Sequence, residues 1–231
     1  MSKALVVEDD VNVRGALLHI LGIEGFCVLQ AQTAGEALAK IARENPDIIV
    51  LDVMLPDGNG FDLCKQTRDI CSAPVLMLTA LADEASVLEG FHAGADDYIA
   101  KPFRPREFVA RVRSILKRAG VQDSGQPREI RIGDIVFYPE RQTARVDGRT
   151  VCLSPTETKL LLTLLNREGQ VLRPDLLAEQ VWHCRLCERE AQDLVKTAVS
   201  RLRAKIEADR QHPRHILTVR GKGYTLARDK E

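Results

Sequence analysis

The sequence predicts a doubly wound α/β domain built on a five-stranded parallel sheet, followed by a smaller α+β domain. Over the first half, short continuous apolar runs alternate with amphipathic stretches. Strands without polar alternation are covered on both faces, as in parallel sheets flanked by helices. From Arg118 to Arg128 the periodicity stops, and Gly120, Asp123, Ser124, Gly125, Gln126 and Pro127 read as a linker. Beyond it the pattern changes to short strands, three helices and a hairpin. The boundaries expected are 1–118 for the first domain, 119–129 for the linker and 130–231 for the second domain. The 231 residues exceed the roughly 100–150 most common for one domain.

In the first domain the expected strands are Ala4 to Val7, Val28 to Ala31, Ile48 to Leu51, Val75 to Leu78 and Tyr98 to Ala100. The clearest helix is the last, where Phe108, Val112 and Ile115, with Val109 and Leu116, recur at helical spacing. In the second domain, strands near 130 to 153 precede a helix with a strong start signal. Ser154 takes the N-cap, Pro155 the first turn, and Glu157 completes a capping box, with Gly169 as the expected stop. A short helix follows at 174–182. A third spans 193–207, its apolar stripe formed by Val195, Val199, Leu202 and Ile206. The chain closes with Ile216 to Val219, the turn Arg220-Gly221-Lys222-Gly223, and Tyr224 to Ala227.

Composition, at 45% hydrophobic and 29% charged residues, excludes disordered, collagen-like and disulfide-scaffold classes. The N-terminus lacks a signal-peptide pattern, and no run approaches the ~18 apolar residues of a membrane span. A cytoplasmic protein with six reduced cysteines and no membrane partner is expected. The zero net charge hides an asymmetry. Residues 1–118 carry 13 basic against 17 acidic residues, whereas residues 130–231 carry 19 against 14. A basic second half points to an anionic partner there.

Ligands of open parallel sheets bind beyond the carboxyl ends of the strands. Glu8 and Asp9 end the first strand, Asp52 the third and Thr79 the fourth, and Lys101 follows the fifth. Clustered carboxylates repel one another unless a cation sits among them, and oxygen-only donors favour Mg²⁺. Asp52 then becomes a nucleophile for a phosphoryl group, with Lys101 and the Thr79 hydroxyl on its oxygens. Acidic residues after a strand also serve as helix N-caps, a role open to Asp9 or Asp10.

The segments Val6-Val7-Glu8-Asp9-Asp10, Leu51-Asp52-Val53-Met54-Leu55-Pro56 with Gly60, Leu78-Thr79-Ala80 and Gly94 through Phe103 resemble the receiver domain of response regulators. The resemblance implies that a sensor histidine kinase phosphorylates Asp52. It also implies that Glu8, Asp9, Asp52 and the backbone carbonyl of Met54 hold Mg²⁺, and that Thr79 and Tyr98 form a switch pair. The chain is then a phosphoacceptor and not an enzyme, with at most slow self-dephosphorylation.

The third helix of the second domain sets Lys196, Ser200 and Arg203, with Thr197 and Arg201, opposite its apolar stripe, and Arg220 and Lys222 tip the hairpin. Such a helix suits the major groove, and such a hairpin the minor groove or phosphates. Leu153 to Glu157, Val181-Trp182, Val199 to Arg203 and Thr218 to Tyr224 resemble the winged helix-turn-helix domain of the OmpR/PhoB subfamily. By that likeness Lys196, Thr197, Ser200 and Arg201 face bases or phosphates, Arg203 binds the backbone, and Arg220 serves the wing. Double-stranded operator DNA and RNA polymerase are the implied partners, with a homodimer forming on phosphorylation.

Three departures stand against this pattern. Asp97 with Arg111, and Asp96 with Arg118, supply two of the expected dimer charge pairs, but Val87 stands where a basic partner of Glu107 is expected. Asp193 and Leu194 replace basic or small polar residues. His183-Cys184-Arg185-Leu186-Cys187 carries a C-x-x-C beside a histidine, which suits a metal or redox role or two reduced surface thiols. His19, His92, His212 and His215 show no ligand spacing. The leading reading is a phosphorylation-switched transcription factor; the alternative is a DNA-binding regulator independent of phosphorylation that uses its receiver to dimerise.

Overall fold

The computed structural model describes residues 2–80, 84–118 and 129–227. The chain divides into two compact units, Met1–Gln122 and Asp123–Glu231. Of the expected linker, 119–128 lies outside the described residues.

The first unit runs β1 (Lys3–Val7), α1 (Val11–Ile23), β2 (Cys27–Ala31), α2 (Ala34–Glu44), β3 (Ile48–Asp52), a small hairpin of β4 (Met54–Leu55) and β5 (Gly58–Asn59), α3 (Gly60–Ile70), β6 (Val75–Thr79), α4 (Glu84–Ala93), β7 (Asp97–Ala100) and α5 (Pro105–Arg118). The five long strands form a parallel sheet in the order β2-β1-β3-β6-β7. Successive side chains on a strand face opposite sides. Leu5, Val7, Ile49, Leu51 and Met77 therefore pack with α2 and α3, through Ile41, Phe61 and Cys64. Ala4, Val6, Val50, Leu76 and Leu78 pack with α1 and α5, through Leu17, Leu21, Phe108, Val112 and Ile115. Burial on both sides is why these strands read as unbroken apolar runs, each large side chain contributing about 1.5–3 kcal/mol.

The second unit opens with an antiparallel sheet, β8 (Ile130–Ile132), β9 (Ile135–Tyr138), β10 (Thr143–Val146) and β11 (Arg149–Cys152), in the order β11-β10-β9-β8. Helices α6 (Pro155–Leu165), α7 (Pro174–Trp182) and α8 (Glu188–Ile206) follow, then the hairpin of β12 (Ile216–Val219) and β13 (Gly223–Leu226). This is a winged helix-turn-helix. The capping box of α6 is formed: the Ser154 hydroxyl accepts from Glu157 N at 3.3 Å, and the Glu157 carboxylate accepts from Ser154 N at 2.8 Å.

Two boundaries differ from expectation. α6 stops at Leu165, and Gly169, with φ +73°, serves the following turn. α8 begins at Glu188, five residues before Asp193, because the Glu190 carboxylate reaches back to accept from Cys187 N at 3.0 Å. Cysteine lies outside the usual N-cap set, so that start left no ordinary signal. Leu194, read as a departure from basic or small polar residues, is 1% exposed and belongs to the core stripe of α8.

The wing is fixed at both ends. Gly223 has φ +144°, and a β-carbon there would lie 2.0 Å from the Leu172 carbonyl oxygen, so only glycine allows this approach. At the end of α8, the buried Glu207 carboxylate accepts from the backbone N–H groups of Arg214, His215 and Ile216 at 2.8–3.0 Å. It also meets His215 Nδ1 at 3.0 Å, while His215 Nε2 lies 2.6 Å from Asp134. Burial works to raise the Glu207 pKa, but the His215 contact and the backbone donors outweigh it and lower the value to about 2. The Glu207 hydrogen bond, with help from Asp134, raises the His215 pKa against its burial.

These shifts set a pH window. Glu207 contributes its stability fully above its unfolded value of 4.5 and loses it as pH falls toward about 2. His215 contributes fully below its unfolded value of 6.5 and loses it as pH rises through its raised folded pKa. Thermal melts of the second unit should therefore show this network's largest contribution between those two values. Glu207→Gln should cost roughly 3–5 kcal/mol, and His215→Asn should flatten the alkaline limb.

Candidate functional site

Strand order reverses between β1 and β3, where the loops diverge and leave a crevice at the carboxyl ends. Glu8 and Asp9 leave β1 there, and Asp52 ends β3. Their carboxylates offer ligand oxygens that all lie within 4.8 Å of one another. Glu8 and Asp52 are buried and Asp9 is exposed. Lys101, just after β7, extends its ammonium to Glu8 Oε2 at 2.7 Å and to Asp52 Oδ2 at 2.8 Å. Burial, then the repulsion of Asp52, raises the Glu8 pKa although Lys101 opposes the change. Burial depresses the Lys101 pKa, but the hydrogen bonds to Asp52 and Glu8 prevail and raise it. One ammonium thus serves two of three converging carboxylates, and the surplus negative charge on hard oxygen donors fits a divalent cation such as Mg²⁺.

The surrounding contacts explain how these groups are held. Asp10 is the N-cap of α1, its Oδ1 accepting from Asn12 N at 2.7 Å and Val13 N at 3.0 Å, and these bonds lower its pKa. The capping role therefore falls to Asp10 and leaves Asp9 to the pocket. Arg14 is buried and donates to the backbone carbonyls of Glu8 and Asp9 at 2.8 and 2.9 Å. Met54, two residues beyond Asp52, begins the small hairpin, which Asp57 fastens to the first turn of α2 by accepting from Ala34 N and Gly35 N. A β-carbon at Gly60 would lie 2.2 Å from the Asp52 carbonyl oxygen, so glycine is required where the hairpin folds back against the end of β3. Arg14 and Asp57 carried no motif of their own and escaped the sequence reading.

Thr79 is buried at the end of β6, and half-buried Tyr98 sets its ring edge-on to Phe91, 5.9 Å between centroids. Both line one small cavity against α4, together with Val87. Val87 is half-buried on the rim of this cavity and so joins the packing around Thr79 and Tyr98. On the neighbouring face, Arg111 pairs with Asp97 at 2.9 Å and with Glu107 at 3.3 Å within the same chain. Asp96 amends the expectation of a surface charge pair. Its side chain is 1% exposed, and its Oδ2 accepts from Arg68 at 2.6 Å and from Val75 N at 2.9 Å. A carboxylate so deep requires an internal cation, which Arg68 of α3 supplies. The side chain of Arg118 lies outside the described residues.

In the second unit, Lys196 and Ser200 lie exposed on α8, and Arg220 and Lys222 at the hairpin tip. A groove of about 820 Å³ runs between the start of α7, α8 and the wing, lined in part by Asp193, Lys196 and Lys222. Exposed Arg189 and Gln192 also belong to this side of α8, and they were missed because the helix was expected to start later. Arg201 is half-buried. The Thr197 hydroxyl donates to the Asp193 carbonyl at 3.0 Å. Arg203 departs furthest from the backbone-binding role expected of it. Its guanidinium donates to the Ile216 carbonyl at 3.0 and 2.5 Å and to the Thr218 hydroxyl at 2.9 Å, and lies 6.0 Å from the Tyr224 ring centroid. It ties α8 to the wing. The C-x-x-C thiols are not joined in a disulfide, and the single group of three or more metal-ligating side chains among the described residues is the acidic one.

An acidic crevice at a strand switch point, joined in one chain to a winged helix, defines a DNA-binding response regulator. Residues 4–113 match the response regulator receiver domain, and residues 148–226 match the family described as transcriptional regulatory protein, C terminal. The chain is 40% identical over 224 residues to the DNA-binding response regulator MtrA of Mycolicibacterium smegmatis, covering 96% of this chain and 95% of that one. It is 39% identical to the sensory transduction protein RegX3 of Mycobacterium bovis, covering 98% and 99%. Among solved structures, the response regulator DrrB, a Thermotoga maritima OmpR/PhoB homolog, is 34% identical over 98% of this chain and 99% of that one, with a TM-score of 0.49. The chain belongs to the OmpR/PhoB family of two-component response regulators. Among the described residues no helix is long and apolar enough to cross a membrane.

Two substitutions test these assignments. Gly60→Ala should destabilise the first unit by roughly 1–3 kcal/mol in denaturant titrations, as overpacking against backbone does. Arg203→Met removes charged hydrogen bonds worth about 1.5–3 kcal/mol, so amide exchange in β12 and β13 should accelerate while that in β8–β11 is unchanged.

Proposed function

We propose that Asp52 accepts a phosphoryl group from the phosphohistidine of a sensor kinase, and that the acyl phosphate so formed promotes dimerisation and operator binding. The observation that carries this reading is the Lys101 ammonium bridging Glu8 and Asp52 beside an uncompensated third carboxylate. A carboxylate oxygen of Asp52 attacks phosphorus, the phosphorus–nitrogen bond breaks, and the electron pair returns to the imidazole, which takes up a proton. Glu8, Asp9, Asp52 and the backbone carbonyl of Met54 would hold Mg²⁺. When bound, that ion neutralises charge on the phosphoryl oxygens. Lys101 is placed to hold another phosphoryl oxygen, and Thr79 to donate a hydroxyl to it.

Movement of Thr79 toward the phosphoryl group frees space in the cavity it shares with Tyr98, so the aromatic ring turns inward and the α4–β7–α5 face changes. That face carries Asp97, Glu107 and Arg111 into a homodimer. Lys196, Ser200, Arg201, Arg220 and Lys222 then meet operator bases and phosphates, and RNA polymerase is the downstream partner. Such a protein works in the cytoplasm, where its DNA is.

The decisive measurement is operator affinity and oligomeric state with and without a small phosphodonor plus Mg²⁺, in wild type and Asp52→Ala. Dimerisation and tighter binding are expected in wild type alone. Equal behaviour of all four samples would replace this reading with a regulator that binds constitutively through a receiver-built dimer. The plot of log K against log salt should be steeply negative, about −0.9 per phosphate contacted.

A further inference from the structure

Positions 189, 193, 196 and 200 of α8 advance by four, three and four residues. Arg189, Asp193, Lys196 and Ser200 therefore form one exposed stripe, opposite the buried Leu194, Val195 and Leu202. The Asp193 carboxylate takes no hydrogen bond and no ion pair among the described residues, although Lys196 stands one turn away. Asp193 lines the groove between α8 and the wing. A carboxylate brought up to a polyanion is repelled unless it meets a hydrogen-bond donor.

The major-groove edges of the bases decide which donor that is. Guanine presents acceptors alone, N7 and O6, and thymine an acceptor and a methyl group, so both reject a carboxylate. Adenine offers its N6 amino group beside the N7 acceptor, which faces the second carboxylate oxygen unfavourably. Cytosine offers its N4 amino group with no acceptor next to it in the groove. The guanine paired with that cytosine presents O6 and N7, and an ammonium one helical turn away is a suitable donor for them. Opposite charges at i and i+3 on the groove-facing stripe thus match the opposite polarities of the two bases of one pair.

We propose that Asp193 and Lys196 together read a C·G base pair in the operator, Asp193 accepting from cytosine N4 and Lys196 donating to guanine O6 or N7. The proposal rests on the DNA-contact reading given above and names the base that the contact selects. Gln192 and Arg189 flank the pair and extend the read sequence. Thr197 is not part of it, since its hydroxyl is donated to the helix backbone.

The test is selection of binding sites from randomised duplexes by the full-length chain, treated with a small phosphodonor and Mg²⁺, in wild type and Asp193→Asn. Wild type should select a motif with one invariant cytosine, and changing that C·G pair to T·A should weaken binding by roughly 5- to 150-fold. An asparagine side chain pairs with adenine N6 and N7, so Asp193→Asn should move the preference at that position from cytosine to adenine and leave the rest of the motif unchanged. The residue is exposed, and unchanged thermal melting of the variant checks that it folds. If Asp193→Asn selects the wild-type motif and merely binds every sequence more tightly, the carboxylate only repels phosphates and the proposal is overturned. If wild type selects no motif at all, the DNA-contact reading fails and takes the proposal with it.

Discussion

Mutual repulsion of carboxylates at the β1/β3 switch point is the constraint around which the first unit is arranged. Glu8 and Asp52 are buried in contact with one ammonium, and that ammonium comes from beyond the last strand of the sheet. The sheet must therefore close in the right order before the charges can be balanced. The groups around the crevice remove other sources of freedom. Asp10 caps α1, Arg14 holds the two carbonyls that precede the cap, and Asp57 fastens the small hairpin to α2. None of these three belongs to the acidic group, yet each fixes backbone within two residues of a member of it, or on the hairpin that follows Asp52.

The fold was legible in the sequence where burial is simple. Apolar runs such as Ile48 to Leu51 mark strands covered on both faces, and each of the five strands of the parallel sheet differs from its expected span by one residue, whereas the hairpin of β4 and β5 was not expected. Receiver pocket residues were legible because strand ends are where such sheets bind ligands. What escaped notice were polar residues that serve the backbone. Arg203 carries the composition of a phosphate-binding side chain, but its partners, the Ile216 carbonyl and the Thr218 hydroxyl, lie 13 and 15 residues away, beyond the reach of any helical pattern. Asp96 looked like a surface acid because it neighbours Asp97, and only the tertiary position of Arg68 shows that it is internal. The start of α8 was hidden because a cysteine occupies the cap and Glu190 supplies the bond.

Val87 illustrates how one position bears on two properties. Its side chain offers Glu107 no charge, and it lines the cavity shared by Thr79 and Tyr98. Glu107 finds Arg111 within its own helix instead, an exposed i,i+4 contact worth only a few tenths of a kcal/mol. Packing around Thr79 and Tyr98 and charge on the outer face thus meet at one position of α4.

Arg203 has a mechanical consequence. A hairpin hinged only at its ends would adjust its distance from α8 to any duplex it met. Three donated hydrogen bonds, the Gly223 approach to Leu172 and the Glu207 network leave little of that play. Helix and wing then behave as the two jaws of a caliper set to one opening. Such a caliper senses groove width and bending stiffness as well as base identity, because a duplex that must be deformed to fit is bound at the cost of its own elastic energy.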